Sequence, residues 1–201
     1  SDRSGWSDYF GVSVSVDDDT IVVGANPRNS DNTGTAGAAY VYDYNGTSWN
    51  QTAMVEPSDG VEGDSFGYAV DLDSDTILIG AQGGNAAYLY QYDGSSWNES
   101  VQLTASDGAT YHAYGAAVSI SGDVALVGTS NHDSAYLYRY DGSSWNEEMI
   151  LAEPGMGFGS AVSVDGDLAL VGAYQNYLGT SSGSAHLYRY DGSSWSEEDE
   201  L

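Results

Sequence analysis

The chain has 201 residues, with 30 acidic side chains against four basic ones, a formal charge of −26, 26 glycines, 17 tyrosines and no cysteine. That length suits one domain with a real core. The charge excludes nucleic-acid binding and attraction to an anionic membrane, both of which require clustered cations, and the absence of cysteine excludes disulfides and thiolate metal sites. No apolar run approaches the ~20 residues of a spanning helix.

All four basic residues are arginine. Such a charge repels itself in dilute buffer and is tolerated where salt shortens the Debye length to ~3 Å at 1 M. The composition therefore points to a protein of a hypersaline environment. The N-terminus carries no export signal, so the chain reads as cytosolic, or as a mature or trimmed piece of an exported protein.

Read along the chain, three markers recur in fixed order. Phe10-Gly11 opens the first copy, Gly24-Ala25 lies within it, and Tyr44-Asn45-Gly46-Thr47-Ser48-Trp49 ends its pattern. The second copy has Phe66-Gly67, Gly80-Ala81 and Tyr92-Asp93-Gly94-Ser95-Ser96-Trp97. The third has Tyr114-Gly115, Gly128-Thr129 and the same turn ending at Trp145. The fourth has Phe158-Gly159, Gly172-Ala173 and the turn ending at Trp195.

Each copy predicts four short strands, A to D. Strand A alternates with period two, as in Val12, Val14 and Val16. Strand B is a continuous apolar run, such as Ile77-Leu78-Ile79, which suits a strand covered on both faces. Strand C carries a stripe of Tyr40, Tyr42 and Tyr44, repeated at Tyr88, Tyr136 and their followers, with His186 replacing tyrosine in the last copy. Strand D begins at each Trp. No segment has a helical period.

Four-stranded units of 40 to 50 residues predict propeller blades. The expected fold is all-β, a single closed four-bladed propeller over residues 1–201, with blades near 10–56, 66–104, 114–152 and 158–201. The tyrosine stripe is expected to fill the wedges between strongly splayed blades. A dimer forming an eight-bladed ring and a fragment of a larger ring are the alternatives.

These markers resemble the FG-GAP repeat, the blade unit of integrin alpha-subunit propellers and of many prokaryotic surface proteins. The short prokaryotic form is the nearest, through Phe66-Gly67-Tyr68-Ala69-Val70, Ile79-Gly80-Ala81 and Ala105-Ser106-Asp107-Gly108. The proline of the family name has only Pro27 as a counterpart. The resemblance implies an extracellular or cell-surface interaction module that is not an enzyme; it supplies no partner, and a protein or a glycan is the expected one. The Asp-Gly-Ser-Ser-Trp turn is also similar to the Asp-box of sialidase propellers, one residue shorter between Asp and Trp. Sialidase chemistry would need clustered arginines to hold a carboxylate, and the four here are dispersed.

Individual residues give further expectations. In integrin blades the A–B loop can carry a calcium motif. Asp71, Asp73 and Asp75 have its alternation, in a turn short for wrapping an ion that needs six to eight oxygens. They are the candidates for a loose calcium or sodium contact; no other cofactor is expected. Asn45, Asn50 and Asn98 head glycosylation sequons. His112, His132 and His186 occur singly, and His186 is read as a packing residue. The B–C loops are long in blades one and four, and a closed ring would bring them together. Arg28, Asn29, Tyr174, Asn176 and Tyr177 are therefore the partner-site candidates of the module. A lectin, stacking sugars on exposed aromatic rings, is the alternative.

Overall fold

The computed structural model describes residues 8–27, 35–108, 113–153, 157–174 and 183–201. Among them are sixteen strands in four antiparallel sheets. Blade one is β1 (Asp8–Asp17), β2 (Thr20–Pro27), β3 (Ala38–Tyr44) and β4 (Trp49–Val55). Blade two is β5 (Phe66–Asp73), β6 (Thr76–Ala81), β7 (Ala86–Tyr92) and β8 (Trp97–Leu103). Blade three is β9 (Tyr114–Ser121), β10 (Val124–Thr129), β11 (Ser134–Tyr140) and β12 (Trp145–Ala152). Blade four is β13 (Phe158–Asp165), β14 (Leu168–Ala173), β15 (Ser184–Tyr190) and β16 (Trp195–Glu200). Each sheet is a meander with its strands paired in chain order, as the four-blade reading expects.

Every first strand carries a bulge at the aromatic-glycine marker. In blade two the register jumps from Phe66 opposite Ala81 to Ala69 opposite Gly80, and Gly67 sits at φ +83°, which glycine adopts at no steric cost. The bulge turns the marker's ring onto the tyrosine stripe of its own blade. Phe66 meets Tyr88 edge-on at 5.4 Å, Tyr114 meets Tyr136 at 5.1 Å, and Phe158 meets His186 at 5.2 Å.

The core lies between blades. One cluster joins Val22, Ala39, Val41 and Val55 of blade one to Val70, Leu72, Ile77 and Ile79 of blade two. Equivalent clusters join blades two and three, and three and four. The stripe supplies more than bulk. Tyr90 Oη donates to the Glu56 carbonyl (2.7 Å) and Tyr138 Oη to the Thr104 carbonyl (3.2 Å), so strand C of one blade latches the chain leaving the blade before it. Burial, the largest cause, raises both phenol pKa values well above the ordinary range, which keeps these groups as donors.

The expected closure of four blades on themselves is not seen among the described residues. Consecutive blades pack through their first two strands at three junctions, and no strand of blade four packs against blade one in that way. The uncovered side is visible in blade one. Val14 and Val16 are each 66% exposed, whereas their counterparts Val70 and Leu72 are 8% and 5% exposed. Among the described residues the four blades follow one another in an arc, with Val14 and Val16 open on blade one and Leu201 open on blade four.

Candidate functional site

The B–C and D–A connections share one face of the arc, and the A–B and C–D turns share the other. The C–D turns are near copies. Asp93 Oδ1 accepts from the Ser95 amide and hydroxyl and from the Ser96 amide, at 2.7 to 2.9 Å. Asp141 and Asp191 repeat this arrangement. The serine hydroxyl first, then the backbone amides, hold all three carboxyls below the usual carboxylate range. Asn45 builds the same turn in blade one without a titrating group.

A folded-state pKa below the unfolded value gives stability that is present above about pH 4 and is lost as the pH falls through the folded value. Acid melts of the triple variant Asp93→Asn, Asp141→Asn, Asp191→Asn should therefore lose less stability below pH ~4 than the parent does. An unchanged acid limb would show that these turns do not carry it.

The sequon asparagines sit on this turn face, all exposed. Asn45 is the turn's acceptor, Asn50 Nδ2 donates to the Ser48 carbonyl, and Asn98 Nδ2 donates to Asp93 and the Ser96 carbonyl. A glycan on Nδ2 of Asn50 or Asn98 would replace one of the N–H groups that make these contacts, whereas Asn45 holds its turn through Oδ1.

Asp71 and Asp73 do not face an open loop. Asp71 Oδ2 accepts from the Ile120 amide (2.8 Å), its Oδ1 accepts from the Ser15 hydroxyl (2.8 Å), and Asp73 accepts from the Gly122 amide. These contacts cross from blade two to both neighbours. The same clamp recurs with other side chains. Ser15 accepts from the Leu72 amide and Asp17 from the Ser74 amide, and Ser119 and Ser121 accept from the Val164 and Gly166 amides. The acids read as ion ligands thus hold the blades in register. Asp75 lies in the exposed turn beyond them, where its carbonyl accepts from the Tyr92 amide.

His186 is buried and serves packing, as expected, within a polar cage. Its Nδ1 lies 2.8 Å from Glu197 and its Nε2 lies 3.0 Å from the Ser184 hydroxyl. Glu153 completes a group of three possible ligand atoms within 4.8 Å of one another.

On the loop face, Arg28, Asn29, Asn176 and Tyr177 lie outside the described residues. Tyr174 is described, is exposed, and lays its ring against Gly157 at the start of blade four. The same face holds an open depression of about 550 Å³ between blades two and three, lined by Ser65, Tyr68, Gln82, Asn85, Ala113 and Asn131 among others. Ser65, Asn85 and Ala113 have left-handed backbones, with φ of 57°, 53° and 54°. Ser and Ala adopt this conformation rarely and Asn more readily; the position of Ser65 and Ala113 recurs as Gly157 and that of Asn85 as Asp133, so both belong to the blade pattern. Asn85 Oδ1 is buried without a partner. The lining offers amide, hydroxyl and backbone groups, which suits hydrogen bonding to a neutral polar ligand or a peptide. Sequence reasoning missed this group because Ser and Ala give no compositional sign of positive φ.

The FG-GAP repeat profile matches residues 2–42, 49–95, 97–143 and 152–188. No curated protein matches the chain. Among solved structures it is similar to a Bacteroides uniformis protein provisionally named a 6-phosphogluconolactonase, with 10% identity, a TM-score of 0.68, and 95% of this chain covering 56% of that one. A functionally unknown protein of Desulfotomaculum acetoxidans gives 10% identity and a TM-score of 0.65, with coverages of 95% and 55%. The beta-propeller domain of Cps50 (Swd1) from Myceliophteria thermophila gives 12% identity and 0.55, with coverages of 86% and 52%. The chain thus spans about half the length of each, and these likenesses concern the fold alone. With the repeat profile matched in all four blades and the blade architecture in place, the chain belongs to the FG-GAP repeat family.

Proposed function

We propose that the chain is a non-enzymatic interaction module of a cell or particle surface, working in high salt and holding a protein partner on its loop face. The observation that carries this reading is the contrast between the two faces. The turn face repeats one hydrogen-bonded motif, whereas the loop face holds the polar depression lined by Ser65, Tyr68, Asn85, Ala113 and Asn131. A rigid scaffold with variable loops is where recognition resides. Membership of the FG-GAP repeat family supports a binding role. The amide and tyrosine lining also favours the second reading, a lectin, since such groups bond and stack on sugar hydroxyls and rings.

Labelled chain should bind intact cells of the source organism in molar salt, and protease shaving of those cells should abolish binding. Binding that survives shaving and is lost after periodate oxidation of surface glycans selects the lectin. Absence of binding to untreated cells overturns both readings.

The salt requirement has its own test. Raising sodium chloride from about 0.1 M to about 1 M shortens the Debye length from about 10 Å to about 3 Å. With a charge of −26, relief of self-repulsion should raise the melting temperature by about 10 °C, which corresponds to roughly 3 kcal/mol for a domain of this size. A melt independent of salt would remove the hypersaline reading.

A further inference from the structure

Consecutive blades meet at three joints, and a tyrosine–tryptophan pair of the later blade borders each one. The pairs are near copies. Tyr92 and Trp97 lie 5.2 Å apart at 39°, Tyr140 and Trp145 5.5 Å apart at 37°, and Tyr190 and Trp195 5.4 Å apart at 45°. Each tryptophan packs on the apolar cluster between its two blades. What the rings face across the joint differs.

At the joint of blades three and four they face a cation. The Arg139 guanidinium carbon lies 4.0 Å from the centre of the Tyr190 ring and 5.7 Å from that of Trp195. Its Nε donates to Glu148 (3.2 Å) and its Nη1 to Asp123 (3.1 Å), while Trp195 Nε1 donates to Glu148 (2.8 Å). Aromatic faces with carboxylates at their edge hold a planar cation through stacking and charge-assisted hydrogen bonds together. The place is filled, and Trp195 is 6% exposed.

Strand register carries the same places onto blade one. Arg139 stands opposite Val124 and Asn146, as Asp43 stands opposite Thr20 and Asn50. Glu148 and Thr52 are each the extra residue of a bulge in the last strand, and Met149 and Ala53 follow them. All three side chains are shorter in blade one. The result is a cavity of about 330 Å³ lined by Asp43, Thr52, Ala53, Met54, Tyr92 and Trp97 among others. Trp97 is only partly covered there. Asp43 Oδ1 accepts from the Thr20 hydroxyl (3.0 Å), which anchors the carboxylate at the cavity wall. The second acid position is kept as well: the Asp19 carbonyl accepts from the Tyr44 amide as that of Asp123 accepts from the Tyr140 amide. The joint of blades two and three has Gln91, Ser100 and Val101 at the three places, with no carboxylate among them and valine where alanine stands.

We propose that the cavity between blades one and two binds an alkylguanidinium group from outside the chain, in the place that Arg139 fills between blades three and four. The planar cation lies on Tyr92 and Trp97, its charge faces Asp43, and its methylenes run along Ala53 and Met54. Ser95 and Ser96 of the C–D turn border the cavity, so the site lies toward the turn face and does not depend on the role proposed for the loop face.

Titration of the full chain with ethylguanidinium chloride, followed through the nitrogen–proton signals of the tryptophan indoles, tests this. Molar salt screens the general attraction of any cation to a chain of charge −26, so local contact is what the titration reads. The expected result is saturation of one site with a Kd of about 1 mM, the Trp97 signal moving most. Ethylurea, a planar and neutral near-isostere, should bind at least about tenfold more weakly. Asp43→Asn keeps an acceptor for Thr20 and should weaken ethylguanidinium about fivefold. The double variant Asp43→Arg, Thr52→Glu rebuilds the blade-three arrangement and should abolish binding while keeping the circular dichroism of the parent. Acetyl-Ala-Arg-Ala-amide separates the sources of the group. An affinity equal to that of ethylguanidinium supports recognition of the group alone, as on a free solute, and a clearly higher one supports an arginine carried by a polypeptide. Equal responses to ethylguanidinium and ethylurea, a response centred on another tryptophan, or an unchanged affinity in Asp43→Asn would each overturn the proposal.

Discussion

Gly80→Ala is expected to destabilise the fold by about 3 kcal/mol, the upper end of what forced overpacking costs, and to lower the melting temperature by roughly 6 to 12 °C. The added methyl would stand 2.0 Å from the Gly115 carbonyl oxygen and 2.9 Å from its carbon. Those atoms belong to backbone, not to the end of a flexible side chain. They cannot readily retreat, because Gly115 is itself held at φ +84° in a place so tight that a methyl group on it would stand 2.4 Å from the Ala86 carbonyl oxygen and 3.0 Å from the Ala81 amide nitrogen. The clash therefore spreads into the cluster around Leu78, Tyr114 and Tyr136. Alanine normally gains about 0.5 to 1 kcal/mol over glycine in a strand, so the expected loss runs against intrinsic preference. Gly128→Ala should behave likewise at the next joint. Gly172→Ala, whose methyl group would meet only Ala161 and at 3.4 Å or more, should stay within a few tenths of a kcal/mol. Urea titrations of the three variants in molar salt decide the matter. Equal midpoints for Gly80→Ala and Gly172→Ala would mean that the glycine apposition does not limit how closely blades approach.

This joint also explains how far the sequence could be read. The aromatic-glycine and glycine-alanine markers appear along the chain as separate signals, yet they are the two sides of one contact between consecutive blades. Their repetition in order made the four blades and their strands legible, because a glycine required by backbone approach cannot drift. The tyrosine stripe was legible as packing. Its hydroxyl bonds to Glu56 and Thr104 were not, since periodicity reports which face is buried and not where a donor points. Closure was illegible for another reason. The repeat fixes the joint between consecutive blades, and nothing in that joint counts how many blades a ring takes. The depression at Ser65, Asn85 and Ala113 left no trace in composition, because left-handed backbone at Ser65 and Ala113 falls on residues that usually avoid it. Aspartate alternation at Asp71, Asp73 and Asp75 carried a real signal whose chemistry was ambiguous: carboxylates spaced by two on a strand share one face, and that face can meet an ion or the amides of a neighbouring strand.

The choice between those two roles yields the last expectation. Asp71→Ala removes the acceptor of the Ile120 amide and of the Ser15 hydroxyl, one bond toward each neighbouring blade, and should lower stability by about 2 to 3 kcal/mol, the scale of hydrogen bonds to a charged group in a partly buried setting. Asp71→Ser should recover much of the loss. Ser15 and Ser119 already serve the Leu72 and Val164 amides at the neighbouring joints, at 3.2 and 3.1 Å, so a hydroxyl has the reach that the clamp needs. Serine cannot replace a carboxylate in holding calcium, which binds through charged oxygens. Thermal melts of the parent, Asp71→Ala and Asp71→Ser, each with and without millimolar calcium at constant ionic strength, separate the roles. A clamp predicts that the serine variant approaches the parent and that calcium moves none of the three. A calcium-dependent rise in the parent that both variants lose would instead make Asp71 an ion ligand, with its bonds to Ile120 and Ser15 secondary to the cation.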